Sequence, residues 1–243
     1  MSKRLKFFLS HFAISCIIAL AVMMLVFFVW YPSPLATAVG VTHIFLMLLA
    51  IDVIIGPVLG FIVYKEGKKT LKMDLGVIVL LQLSALAYGI FNIAEGRPVW
   101  LAYNIDRFEL VRNNDIIEEK IAQALPQYQH PSWGKPQYVA VEFAKDSETR
   151  NEDMFAEALG GISLAHKPER YVDISNAKTQ VQQRMQPLEV LEQYNEQTVV
   201  QAIVKKYPQA IGFVPLKAVN VDMTVLVDAQ GDVIKIVDLR PWQ

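Results

Sequence analysis

Tyr64-Lys65-Glu66-Gly67-Lys68-Lys69-Thr70-Leu71-Lys72 is a basic island between two long apolar runs, and its one basic counterpart in the first 95 residues is Ser2-Lys3-Arg4-Leu5-Lys6. Residues 35–64 precede the island, residues 75–93 follow it, and residues 7–30 follow the N-terminal cluster. A membrane-crossing helix needs about 20 apolar residues, so each run is long enough. The positive-inside rule puts both basic clusters on the cytoplasmic side. The chain then crosses three times with a cytoplasmic N-terminus and delivers everything after about residue 96 to the far side. This predicts a three-helix transmembrane anchor over 1–95 and a separate domain over 96–243.

The remaining composition fits that division. The chain is 53% hydrophobic with a positive mean hydropathy, and the apolar excess lies in its first part. From residue 96 onward it is mildly acidic with dispersed positive charges, which argues against nucleic-acid binding. The single cysteine, Cys16, has no disulfide partner and reads as a small core hydrophobe. A cleaved signal peptide ending near Ala36-Thr37-Ala38 is disfavoured, because the first run exceeds the about 7–15 residues of a usual signal core. Trp30 and Tyr31 read instead as interfacial anchors.

Within the anchor, Tyr31-Pro32-Ser33-Pro34 forces a short outer turn. The second run is longer than a perpendicular span requires, so it should tilt, kink or protrude, with Gly56-Pro57 as the kink candidate. After Glu95-Gly96-Arg97-Pro98, residues 99–103 and 108–112 read as strands, 115–125 as a helix, 128–136 as a loop and 137–144 as a strand. Residues 146–159 and 181–207 read as helices, the second interrupted at Pro187. Residues 221–227 and 233–239 flank Asp228-Ala229-Gln230-Gly231 as a hairpin. The expected domain is α+β with an antiparallel sheet.

Asp52 is the most informative residue, since a carboxylate in mid-membrane implies a partner, a wet cavity or protonation. Gly56 and Gly60 follow at spacings of four and share its face, where glycine allows close helix approach. That face reads as a docking groove for a foreign helix or as an internal contact through Gln82 or Ser84. His43 is about half a turn out of phase with Asp52 and reads as an interfacial histidine bonded to a neighbouring segment; Asp74 reads as a cap or a partner for Lys69 or Lys72. Arg97, Asp106 and Arg107 read as flanking the membrane exit, either as anchor and turn residues or as a polar partner surface. The loop His130-Pro131-Ser132-Trp133-Gly134 is a further candidate contact. No motif for metal binding, nucleotide binding or nucleophilic catalysis stands out, so no catalytic residue, metal ligand or cofactor is assigned.

Taken in order, Trp30-Tyr31-Pro32, Ala36-Thr37-Ala38-Val39-Gly40-Val41-Thr42, Asp52-Val53 with Gly56-Pro57, Lys68-Lys69 before Asp74, and Arg97-Pro98-Val99 before Asp106-Arg107-Phe108 form a set. In that set the chain resembles the type IV pilin accessory proteins of the TfpX/TfpZ family, most strongly over residues 3–111. The resemblance implies a Gram-negative inner-membrane protein with a periplasmic C-terminal domain that assists the stability, expression or assembly of a major type IV pilin. Pilin is then the expected partner, and the expected role is non-enzymatic and chaperone-like, with Asp52, Gly56 and Gly60 facing the pilin helix and the segment after Arg97 meeting its head. A pilin-modifying membrane enzyme and a membrane sensor or immunity-type protein with a ligand-binding domain are the alternatives. Neither the oligomeric state nor the pilin type is legible.

Overall fold

A computed structural model describes residues 1–242. Helix α1 (Lys3–Leu25) continues through one wider turn, Val26–Trp30, and is followed by a short α2 (Leu35–Val39), then α3 (Val41–Val63) and α4 (Leu71–Glu95). At about 1.5 Å rise per residue, α1, α3 and α4 each cover the about 30 Å of a hydrocarbon core. Their outward faces carry Ile17, Phe28, Ile44, Leu80, Leu81 and Phe91, each at least 60% exposed. An apolar surface of that kind suits lipid and not water. Among the described residues, three helices are long and apolar enough to cross a membrane.

The second apolar run is not one helix. Gly40 adopts φ 78°, closes α2 and opens α3, and a Cβ there would lie 2.9 Å from Asn220 Cγ. Only glycine combines that left-handed turn with so close an approach. The excess length is therefore a separate helical turn outside the span, while α3 runs on through Pro57. In the bundle α3 is central and packs against both α1 and α4. Val26, Trp30, Phe45, Leu49, Leu86 and Ile93 form its core.

Beyond Gly96 the chain enters β1 (Pro98–Asn104) and β2 (Arg107–Arg112), then β3 (Gln137–Val141), α5 (Ser147–Gly160) and β4 (Tyr171–Asp173). It continues through α6 (Lys178–Arg184), α7 (Gln197–Lys206), β5 (Gly212–Lys217), β6 (Met223–Val227) and β7 (Val233–Val237). The strands form one sheet in the order β4-β3-β1-β2-β5-β6-β7. The expected α+β architecture is present, but the sheet is mixed rather than antiparallel. Hairpin neighbours β1/β2, β5/β6 and β6/β7 are antiparallel, whereas β1/β3 and β2/β5 are parallel. Tight turns dictate antiparallel pairing. The long connections 113–136 and 174–211 place no such restriction on the strands that follow them, β3 and β5.

The sheet curls until β7 faces β1 and β3 across a cleft of about 260 Å³. Inside the curl, Leu101, Phe108, Val214, Met223 and Val225 form the core. Leu35 and Ala38 of α2 are part of it, at 2% and 0% exposure. The Ala38 carbonyl also accepts the Asn220 and Val221 N–H groups at 2.9 and 3.2 Å. The outer turn between the first two spans is thus an element of the domain core. The opposite face is covered by Tyr128, Ala165 and Tyr171 packed on Trp100 and Val139.

Helix α5 forms as expected, with Asp146 accepting from the Thr149 N–H at 2.8 Å and Gly161 closing it at φ 65°. The hairpin at 228–232 also forms, its turn held by Asp228 Oδ1 and Gly231 at φ 78°. The helix expected over 115–125 does not. Asp115 is engaged by the Arg112 backbone and guanidinium, and the Ile117 N–H donates outward to His166 O, leaving short 3-10 turns at Asn113–Asp115 and Ile121–Gln123. The segment 181–207 is split because Gln186 pairs with Phe213 through both backbone groups ahead of Pro187.

Leu35→Ala is expected to destabilise the C-terminal domain by about 2–5 kcal/mol, the range for deleting a buried leucine. Leu80→Ala on the outer face of α4 should not. Limited proteolysis and thermal unfolding of the detergent-solubilised protein read the difference. A second expectation concerns acid. Burial alone would raise the Asp115 carboxyl, but hydrogen bonds from Arg112 outweigh it and hold the group below the usual carboxylate range. A depressed carboxylate stabilises fully above its unfolded value of about 3.9 and loses that contribution as pH falls through the folded value. Wild type should therefore exceed Asp115→Asn in thermal stability at neutral pH, and the gap should close below about pH 4.

Candidate functional site

Two regions carry the polar residues that sequence alone singles out. The first is inside the bundle, where Gln82 of α4 reaches across α3. Its Nε2 donates to Ser15 Oγ at 3.1 Å and to the Asp52 carbonyl at 3.0 Å, and lies 3.5 Å from Asp52 Oδ2. His11 Nε2 is 3.0 Å from Gln82 Oε1. That amide oxygen can only accept, so His11 donates from Nε2, and its Nδ1 is buried with no partner among the described residues. One side chain therefore joins three helices through four polar contacts. Ser84 and His43 are exposed and take no part. Asp74 instead pairs with Lys68 at 2.7 Å and accepts from Thr70 Oγ1 at 3.0 Å.

The glycines on the Asp52 face are packed from within. A Cβ at Gly56 would lie 1.8 Å from Gln82 Oε1, and one at Gly60 would lie 2.9 Å from Phe7 of α1. Gly56 therefore admits the Gln82 amide, and Gly60 admits the Phe7 ring. Two grooves remain open to the outside. One, of about 300 Å³, runs between α1 and α4 over His11, Ser15 and Gln82. The other, of about 220 Å³, runs between α3 and α4, with Asp52, Gly56 and Gln82 beneath Ile51, Ile55 and Leu81. Asp52 and Gly56 thus border an open groove, whereas Gly60 faces α1.

The second region is the junction with the domain. Arg97 is 2% exposed; its Nη1 donates to Ala94 O at 2.6 Å and its guanidinium stacks 4.3 Å from the Trp133 ring centre. Burial holds its pKa below the usual arginine value, opposed by Glu95 and Tyr31. Trp30 Nε1 donates to the Trp133 carbonyl at 3.1 Å, and Tyr31 donates to Ile93 O at 2.7 Å. Burial pushes the Tyr31 phenol up. The 130–134 loop thus folds onto the ends of α1 and α4. Asp106 and Arg107 are not part of this junction. They form the β1–β2 turn at the opposite end of β1, about 20 Å away at about 3.3 Å per strand residue. There Arg107 lies 3.7 Å from both Asp106 and Glu109.

Similarity to known proteins bears on what this arrangement serves. The chain is 34% identical over 181 residues to the fimbrial assembly protein, serogroup E1, of Dichelobacter nodosus, an alignment spanning 73% of this chain and 70% of that protein. The chain belongs to the fimbrial assembly protein family. The serogroup I protein of the same organism matches equally, at 34% over the same shares. The protein of serogroups C1 and C2 is 35% identical over 47% of this chain and 88% of its own length. Residues 1–40 match the family described as fimbrial assembly protein FimB. No solved structure matches significantly. Those 40 residues cover α1, the outer turn and α2, the part that joins bundle to domain.

Gly56→Leu is expected to lower the yield of folded protein, because the added side chain displaces the Gln82 amide from its contacts with Ser15, Asp52 and His11. Ile55→Leu, one position along and outward-facing, should leave it unchanged. Size-exclusion profiles of the purified variants check this.

Proposed function

We propose that the protein is a non-enzymatic, chaperone-like accessory of pilus assembly in the bacterial inner membrane, binding pilin before its incorporation. The observation that carries this reading is the 34% identity, over most of both chains, to proteins named for fimbrial assembly. Family membership supports the coarser role; the resemblance in Trp30-Tyr31-Pro32, Asp52-Val53 and Gly56-Pro57 supports pilin as the partner. The basic clusters at 3–6 and 65–72 favour a cytoplasmic N-terminus and a periplasmic C-terminal domain.

The α3/α4 groove suits the apolar helix of a membrane-held pilin. Its rim is Ile51, Ile55, Leu59 and Leu81, and its floor offers Asp52 as one polar contact. Association within lipid depends on close packing and a few hydrogen bonds, since apolar burial gives little advantage there. A shallow groove with a single polar point meets that requirement. Arg97 and the 130–134 loop then lie where a client's head meets its membrane helix, and Asp106 and Arg107 offer a second polar contact farther out on the domain.

The test is site-specific photocrosslinking in native membranes from Ile55, with Ile44 and Ile62 as probes outside the groove. A pilin adduct from Ile55 alone is expected. Pilin captured equally from all three positions, or from none, removes the groove from the proposal. Deleting the protein should reduce surface pili and leave the intact mass of pilin unchanged; an altered mass would favour a modifying enzyme.

A further inference from the structure

The two aromatic residues expected to anchor the outer end of the bundle do not face outward. Trp30 and Tyr31 are 5% and 1% exposed and are spent on contacts within the protein. The indole exposed at that level comes from the domain. Trp133 is 65% exposed, and its carbonyl accepts from Trp30 Nε1 at 3.1 Å. Its ring centre lies 6.3 Å from that of Trp30 and 4.3 Å from the guanidinium of Arg97, the second residue after α4. Contacts to the ends of both α1 and α4 fix its height on the bundle. Phe28, 70% exposed on the lipid-suited surface, is only two residues before Trp30, about 3 Å along a helix axis.

The loop is built to hold this ring where it is. The Gly134 N–H donates to Ser132 Oγ at 2.9 Å and tightens the turn around Trp133. Arg97, buried and without an ion pair among the described residues, is covered by the indole and gains a cation–π contact from it. That contact occupies only part of the ring, and the remainder is left to the surroundings. The local charge has the sign that suits phosphate: between Glu119 and Glu142 the chain carries Lys120, His130 and Lys135 and no acidic residue, in a domain that is acidic as a whole. Lys135 shares a cleft with the outer turn Pro32-Ser33-Pro34, which puts it at the same end of the bundle.

We infer that the 130–135 loop seats the domain on the membrane, with the Trp133 indole in the headgroup region of the leaflet nearest Trp30 and Lys135 toward the lipid phosphates. An indole suits that layer because its ring is apolar while its N–H can donate to lipid ester and phosphate oxygens. Lipid is the occupant that the geometry favours, because the exposed ring continues the apolar surface of the bundle at its outer end. The interfacial anchor is thus carried by a loop about a hundred residues after the first span. It attaches the domain to the bilayer at a second point, apart from the α2 seat. The inference rests on the bundle spanning a bilayer and is independent of pilin binding; a client's head meeting the membrane here would find the loop already seated in it.

The test is power-saturation EPR of the full chain in vesicles of phosphatidylethanolamine and phosphatidylglycerol. Nitroxides are placed in a Cys16→Ala background at Leu80→Cys in mid-α4, at Trp133→Cys, or at Phe155→Cys on α5, which follows the far end of β3. Oxygen partitions into the bilayer and a nickel chelate stays in water. Position 80 should be open to oxygen and closed to nickel, position 155 the reverse, and position 133 intermediate, with an oxygen-to-nickel ratio several-fold above that of 155. A ratio at 133 equal to that at 155, with 80 still in lipid, would overturn the inference and leave the membrane reading standing; position 80 in water would overturn both. Exclusion of both reagents from 133, or nickel access lost only when pilin is reconstituted alongside, would assign the loop to a protein contact and overturn it too. The native ring is read by fluorescence. Phosphatidylcholine brominated near the headgroup end of its chains should quench the wild type more than Trp133→Phe, which keeps an aromatic ring on Arg97; equal quenching of the two would overturn the assignment.

Discussion

The rest of the structure depends on the seating of α2 in the core of the curled sheet. Leu35 and Ala38 are contributed from between two membrane spans and buried among strands that follow in the chain by more than sixty residues. The backbone at Gly40 makes this possible, since only a left-handed residue without a Cβ lets the chain end one helix, pass Asn220 and start the next span. The domain core is therefore completed by the anchor. The two halves of the sequence, so different in composition, thus share a core at α2.

A second constraint acts inside the bundle. In lipid there is no water to satisfy a polar side chain, so Gln82, His11, Ser15 and Asp52 must find one another. They do so through a single amide, admitted by the missing side chain at Gly56. Because α1 and α4 meet across this long side chain and not by continuous close packing, the surfaces on either side of it stay open as grooves. The same interaction that closes the bundle leaves room for another helix at its edge.

Much of this was legible in the chain. Hydropathy and the two basic clusters gave the three spans, and period-two patterns with turn residues gave β1, β2, β3 and the β6/β7 hairpin. The mixed pairing was not legible, because alternation within a strand says nothing about which strand lies beside it. Strand β5 was hidden by Pro215, which removes a ladder donor, and β4 by its three-residue length. The false helix over 115–125 arose from acidic and apolar spacing that Arg112 and His166 override with non-local bonds. At the candidate site, Asp52, Gly56 and Gln82 were readable from the cost of polarity in a membrane. His11 was not, since nothing in its immediate sequence marks it as their partner. Arg97 and Asp106–Arg107 were grouped because they are close in sequence, and a strand of seven residues separates them in space.

The junction also bears on how a two-part client could be held. A domain on a flexible linker would sample many orientations, and a partner engaging both membrane helix and head would lose binding free energy to ordering that linker. Here Gly96 and Arg97 alone separate α4 from β1, and the domain is tied to the bundle through Tyr31 to Ile93, Trp30 to Trp133, Asn113 to Glu95, and Asn220 and Val221 to Ala38. Arg97, buried under Trp133, closes the same seam. With the two contact zones held in one orientation, a client that fits both gains from the second contact without that ordering cost. A client that fits only one gains nothing from the other. Under the proposed pilin-binding role, discrimination of this kind would rest on residues 31–40 and their seat in the domain core, so that the segment completing the fold would also set the geometry of recognition.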